Sequence, residues 1–256
     1  MPCSYVMMLG MAGSGKTTLT DRYSRWLINN GFNIAIVNLD PGVERVPYKP
    51  SFDIRDIITI RDVMIKYGLG PNGAFIKAME LIEENMDRIL NSEPFINDGD
   101  YDLILIDTPG QMEVFVFRPV GPNLISKLRF KGFVIGVYII DGEMIKKIHD
   151  AVMAWFMGLI LRLRLGIPVI PILNKSDLTK DYEVVVKLIN EPLTLINDLR
   201  RGLEGILDDV VEDMLHLVEK TRSALRFIKV SALTGEGIED LHYIIHEVHC
   251  TCGDLT

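Results

Sequence analysis

Positive charge is in short supply: 27 Lys and Arg stand against 35 Asp and Glu, a net charge of −8. An acidic chain lacks the broad cationic face that direct nucleic-acid binding needs. Cysteine is scarce, with three in 256 residues. That number excludes a disulfide framework and, with no secretory signal, suggests a reducing compartment. No long hydrophobic run is present. The oiliest stretch, "AVMAWFMGLILRLRLGIPVIPILN" from Ala151, is broken by Arg162, Arg164 and Pro168. It falls short of the ~20 apolar residues of a bilayer span and reads as a buried helix followed by a buried strand. The N-terminal "MPCSYVMMLG" lacks a basic leader and a cleavage site, so it reads as a first strand and not a signal peptide. Linkers, low-complexity tracts and internal repeats are also missing. These absences predict a soluble cytoplasmic protein with no membrane segment, folded as one domain over residues 1–256.

Apolar residues make up 48% of the chain, enough for a full core. They recur in short runs: "SYVMMLG", "NIAIVNLD", "DLILID", "FVIGVYIID", "IPVIPILN" and "RFIKVSA". Continuous runs of this length suit strands covered on both faces. Between them, residues 16–30, 74–92, 144–165 and 236–250 carry apolar positions at helical spacing. The alternation predicts an α/β fold: a mostly parallel central sheet flanked by helices, with ligands beyond the carboxyl ends of the strands. Residues 181–222 are helical in pattern and read as a helical insertion before the last strand.

"GMAGSGKT", Gly10 to Thr17, matches G-x-x-x-x-G-K-[ST] between a predicted strand and a predicted helix, the context of a P-loop. Gly13, Ser14 and Gly15 let backbone N–H groups curl around a phosphate chain, and Thr18 extends the contact into the helix. Lys16 brings a positive charge to the β and γ oxygens, and the Thr17 hydroxyl is suited to Mg²⁺. "LIDTPGQ" ends a strand on Asp107, a candidate for the magnesium shell. Gly110 follows as a γ-phosphate contact and Gln111 as a residue able to orient water. Glu113 reads as solvated. "VNLDPG" places Asp40 at a strand's carboxyl end. Alone it is a turn residue; beside a P-loop it is a candidate for metal or water positioning.

"LNKSD" supplies the other end of a nucleotide site. The Asp177 carboxylate can accept from guanine N1–H and from the exocyclic amine. Adenine offers no such pair of donors, and an unpaired buried acceptor rejects it. Asn174 would bond the base edge and brace the loop, while the aliphatic stem of Lys175 covers the base plane. In "VSALTGEG", the backbone of Ser231, Ala232 and Leu233 resembles the segment that meets guanine O6.

The P-loop, NLD, GPN, DTPGQ, NKxD and SAL motifs, in this order, resemble the GPN-loop GTPases, a family of dimerising P-loop GTPases. The resemblance runs from about Tyr5 to the C-terminus. It implies a P-loop NTPase fold with a GPN insertion at about 53–92, Mg²⁺ and GTP or GDP as ligands, and hydrolysis of GTP to GDP and phosphate. It further implies a homodimer whose GPN loops reach the partner's phosphates. The tripeptide occurs twice, and the family order selects Gly70-Pro71-Asn72, between Asp40 and Asp107. Asn72 is then expected at the tip of a stiff, narrow loop, donating to the γ-phosphate in trans. Gly121-Pro122-Asn123 follows DTPGQ and reads as a turn or helix start. Many dimerising P-loop GTPases carry a signature lysine early in the P-loop. Met11, Ala12 and Gly13 stand there instead, which favours Asn72 for the trans role. Eukaryotic relatives are linked to RNA polymerase assembly, which implies a client complex. Two other readings stay open: a P-loop phosphotransferase, and a nucleotide-stabilised scaffold with little turnover. The tail "HYIIHEVHCTC" holds His242, His246, His249, Cys250 and Cys252, and reads as a packed or solvated helix end in preference to a zinc site.

Overall fold

The computed structural model describes residues 4–179, 182–200, 206–221 and 227–253. Among them are seven strands: β1 (Ser4–Leu9), β2 (Ile34–Asn38), β3 (Phe52–Asp53), β4 (Leu103–Asp107), β5 (Phe133–Asp141), β6 (Val169–Asn174) and β7 (Ile228–Lys229). They form one sheet in the order β3-β2-β4-β1-β5-β6-β7, and every pairing is parallel. Central β1 is buried along its whole length. Its side chains alternate between the two faces, as strand geometry requires. Val6 and Met8 join a core with Leu19, Tyr23, Leu27, Leu241 and Ile245. Tyr5, Met7 and Leu9 join the larger core on the opposite face.

The helices wrap both faces. In chain order they are α1 (Lys16–Asn29), α2 (Ile60–Tyr67), α3 (Pro71–Glu84), α4 (Met86–Leu90), α5 (Met112–Phe117), α6 (Val120–Arg129), α7 (Ile148–Leu165), α8 (Tyr182–Asn190), α9 (Ile196–Arg200), α10 (Ile206–Thr221) and α11 (Ile238–Gly253). The predicted helical insertion is α8 to α10, with no strand among its described residues; positions 181, 201–205 and 222 lie outside them. Register is what makes a site. Asn38 pairs with Asp107 across β2 and β4, and Asp141 pairs with Asn174 across β5 and β6. These residues therefore share the carboxyl edge of the sheet.

The first GPN tripeptide is not the tip of a loop. Thr59 caps α2 by accepting from the Asp62 N–H, and Gly68 ends it in the left-handed region at φ 63°. Gly70 is then the N-cap of α3 at φ −71°, Pro71 is its first residue, and Asn72 sits in its first turn. Proline at a helix start is favoured because its missing N–H would be unpaired there anyway. The same rule places the second tripeptide in the first turn of α6. There Asn123 Nδ2 donates to Glu83 Oε1 at 2.6 Å, which ties α6 to α3.

The two glycines differ in their surroundings. A Cβ on Gly121 would lie 2.4 Å from the Phe115 carbonyl oxygen, whereas one on Gly70 would meet nothing within 4 Å. Gly121→Ala is predicted to destabilise the fold by about 2 kcal/mol through overpacking. Gly70→Ala should cost under about 1 kcal/mol, the loss of a weak N-cap. Paired urea denaturation curves check the contrast; equal losses would contradict it.

Candidate functional site

The phosphate-binding loop runs from β1 into α1. Gly15 has φ 92°, and a Cβ there would sit 2.4 Å from Asn174 Nδ2, so both conformation and space demand glycine. The N-terminus of α1 points its partial positive charge into the loop. Lys16 is buried, and its ammonium donates to the carbonyls of Gly10 at 2.8 Å and Met11 at 3.0 Å. Burial pulls its pKa down, while Asp107, Asp40 and Glu113 pull it up. Ser14 is buried, Thr17 half-buried and Thr18 exposed. Glu113, though exposed, is near enough to act on the Lys16 charge.

Across from Lys16, Asp107 ends β4 in a buried position. Its Oδ2 accepts from the Tyr48 hydroxyl at 2.7 Å, and its Oδ1 is buried without a hydrogen-bond partner among the described residues. Burial pushes the carboxyl pKa up to about 6; the Tyr48 and Thr17 hydroxyls and the Lys16 charge oppose that shift. Asp40 is fully engaged: Oδ2 accepts from Gly110 N–H at 2.9 Å and Oδ1 from Gly42 N–H at 2.8 Å. The N–H that the sequence assigns to γ-phosphate sensing is thus held by Asp40. Gln111 is the N-cap residue of α5, half-buried, with no side-chain hydrogen bond among the described residues.

At the other end, buried Asn174 bridges two loops. Its Nδ2 donates to the Ser14 carbonyl at 2.8 Å, and its Oδ1 accepts from Ala232 N–H at 3.0 Å. Asp177 is exposed, and its Oδ1 accepts from the Ser231 hydroxyl at 2.6 Å. Lys175 adopts φ 60° and its ammonium pairs with Asp141 at 2.6 Å, which anchors the tip and leaves the stem to lie along the cleft. Arg22 on α1 donates to the carbonyls of Ala232, at 3.1 Å, and Leu233. Gly15, Thr18, Asn174, Lys175, Asp177 and Leu233 line one cleft.

The structure therefore brings the phosphate and base motifs together, as their order implies. Asn72 stands apart: it is exposed, and no hydrogen bond joins it to these loops among the described residues. The tail imidazoles each have a partner in the fold. His242 contacts the Tyr23 hydroxyl, His249 contacts the Ser4 hydroxyl and stacks on Phe133, and His246 contacts Cys250. Cys3 lies outside the described residues. Tyr48, Arg22 and Arg55 carry no local signal in the sequence. Of the newly placed groups only Asp141 carried a local signal, a carboxylate at the end of an apolar run.

Two outcomes follow from this geometry. Asn174→Ala leaves the buried Ala232 N–H and the Ser14 carbonyl unpaired. It should cost roughly 2 to 4 kcal/mol of stability and weaken nucleotide binding at both ends, read by thermal melts and by titration with a fluorescent guanine nucleotide. The Asp107 carboxyl is held above its unfolded pKa, so it favours folding below about pH 4 and loses that contribution as pH rises through about 6. In nucleotide-free protein with chelator, Asp107→Asn should raise stability at pH 7.5 by on the order of 2 kcal/mol. The gain should shrink toward pH 4.5; a gain independent of pH would contradict it.

A family profile described as "Conserved hypothetical ATP binding protein" matches residues 8–251. GPN-loop GTPase PAB0955 of Pyrococcus abyssi is 39% identical over 98% of this chain and 99% of its own. GPN-loop GTPase 1 of Saccharomyces cerevisiae is 30% identical over 94% of this chain and 64% of its own. The crystal structure of the P. abyssi GTPase in its apo form superposes with a TM-score of 0.87 at 36% identity, covering 97% of this chain and 98% of that one. The order of motifs, the shared parallel sheet and near-complete coverage agree: the chain belongs to the GPN-loop GTPase family.

Proposed function

We propose that the chain hydrolyses GTP to GDP and phosphate, with magnesium, as a homodimeric switch. The observation that carries this reading is the Asn174 bridge, which places the Asp177 carboxylate and the Ala232 N–H in one frame with the phosphate-binding loop. Asp177 matches the two donors of guanine; Ser231 N–H is given to the Glu236 carbonyl and Ala232 N–H to Asn174 Oδ1, so the contact to O6 falls to the Leu233 end of this segment. Adenine brings no such pair of donors and would leave Asp177 with the Ser231 hydroxyl alone.

The donor set fits Mg²⁺, a hard cation that prefers oxygen. Asp107 Oδ1 is a buried oxygen with no hydrogen-bond partner of ordinary geometry among the described residues, and the Thr17 hydroxyl acts on the same carboxyl. Asp40 is the third candidate. Bound there, magnesium would neutralise charge on the β and γ oxygens. The chain's own groups do the rest. Lys16 exchanges the carbonyls of Gly10 and Met11 for phosphate oxygens. Gly110 N–H exchanges Asp40 for the γ-phosphate, which frees Asp40 Oδ2 to join the Gln111 amide in orienting a water. That water attacks the γ-phosphorus as the bond to the bridging oxygen of GDP breaks, and its protons pass to phosphate and solvent. With phosphate gone, Asp40 returns to Gly110, and the loop between them resets.

Asn72 supplies the trans component. It is exposed, lacks a hydrogen-bond partner among the described residues, and stands in a helix turn stiffened by Pro71. A neutral amide from a second copy can stabilise charge on the transferred phosphoryl group. By family resemblance, such a switch assists assembly of a multisubunit client such as RNA polymerase in the cytoplasm. No helix among the described residues is long and apolar enough to cross a membrane.

Phosphate release from GTP, measured over a range of protein concentrations, tests this. Turnover per subunit should rise with concentration until the dimer saturates. Asn72→Ala should keep GTP affinity and lower the saturated rate roughly 100-fold. Unchanged turnover in a dimeric Asn72→Ala protein would refute the trans role, and turnover flat with concentration would refute the dimer.

A further inference from the structure

The segment between β2 and β3 borders the candidate site and is largely uncovered. From Gly42 to Ser51 every residue except Tyr48 is exposed or half-buried. Its first half is held by Arg55, whose Nη1 donates to the carbonyls of Val43 at 3.2 Å and Glu44 at 2.9 Å. Arg55 is in turn clasped by Asp53, through Nη2 at 2.6 Å and Nε at 2.9 Å, and Asn38 donates to the same carboxylate. Its second half is held by Tyr48, whose side chain runs inward and whose hydroxyl ends on Asp107 Oδ2.

That contact does two things. A carboxylate with one oxygen bonded to a fixed hydroxyl cannot turn freely, so Oδ1 keeps one direction. It also joins an otherwise exposed segment to the residue proposed to face the cation. We infer that Tyr48 is a positioning residue for the cation site: its buried hydroxyl holds Asp107 Oδ2, leaves Oδ1 to the cation, and ties the 42–51 segment to occupancy of that site. This rests on the reading of Asp107 as part of a magnesium shell. Groups that orient metal ligands are commonly worth 10- to 100-fold in metal affinity. No hydrogen bond or ion pair joins Arg55 to Asp107 among the described residues, so the two anchors divide the work: Arg55 shapes the segment and Tyr48 connects it to the cation site.

The test is Tyr48→Phe, which keeps the ring and removes only the oxygen. Dissociation of a fluorescent GDP is followed while magnesium is titrated, and again in EDTA. GDP affinity in EDTA should match wild type within about twofold, while the magnesium concentration for half-maximal retention should rise about tenfold. A double-mutant cycle with Asp107→Asn separates positioning from packing. In the Asp107→Asn background, Tyr48→Phe should add nothing to the magnesium dependence. A Tyr48→Phe midpoint equal to that of a magnesium-responsive wild type would overturn the inference alone. So would a shift that persists in the Asp107→Asn background. A wild type that binds GDP without responding to magnesium would overturn the metal reading as well.

Discussion

One carboxamide holds the site together. Asn174 stands at the end of β6, donates to the Ser14 carbonyl in the phosphate-binding loop, and accepts from Ala232 N–H in the loop after β7. It is buried, so neither partner can turn to water if the bridge is lost, and each would carry its full desolvation cost. Gly15 completes the arrangement, because any side chain there would occupy the place of the amide. The distance between the triphosphate and base ends of the cleft is thereby set by a covalent side chain rather than by flexible loops. Lys175 at φ 60°, Asp177 on the Ser231 hydroxyl, and Arg22 on the carbonyls of Ala232 and Leu233 are all placed relative to that bridge.

The opposite end is built from charges the fold does not fully satisfy. Lys16 is buried against its own loop carbonyls, and Asp107 is buried with one oxygen bare. Burial disfavours both charged forms, which lowers stability and raises the gain from a ligand that brings opposite charge. Asp40 occupies Gly110 N–H in the same spirit. In the proposed mechanism a phosphate oxygen takes the place of this carboxylate, so that binding is an exchange of like partners. Such an exchange leaves the segments on either side with two alternative sets of contacts, the minimum a switch requires.

Much of this could be read from the chain before any coordinates. Six of the seven described strands are legible because each is a short Ile, Val and Leu run bounded by turn residues, whereas β3, only Phe52–Asp53, has no such run; the phosphate and base motifs are legible because each is contiguous and tied to a strand end. Gly70-Pro71-Asn72 reads as a loop tip, but the structure makes it the start of α3. Three nearby glycines suggested freedom of φ, yet only Gly68 uses it, and Pro71 had the better claim as a helix start. Gly121 shows the reverse: its reason is a close approach to the Phe115 carbonyl, which no local pattern announces. Tyr48 and Arg22 were invisible for a similar reason. Their partners are 59 and 210 residues away, so nothing at either position signals the contact until the sheet brings the ends together.

The central claim is that the carboxylate of Asp177, held in the frame set by Asn174, selects guanine. The most direct measurement compares the affinities of wild type and Asp177→Asn for GTP, ATP and xanthosine triphosphate. Xanthine carries an oxygen where guanine carries its exocyclic amine, so a carboxamide can donate where the carboxylate could only repel. Wild type should bind GTP far more tightly than the other two, and Asp177→Asn should lose GTP and gain xanthosine triphosphate. Equal affinity of the wild type for ATP and GTP, or an Asp177→Asn protein with unaltered preference, would contradict the claim.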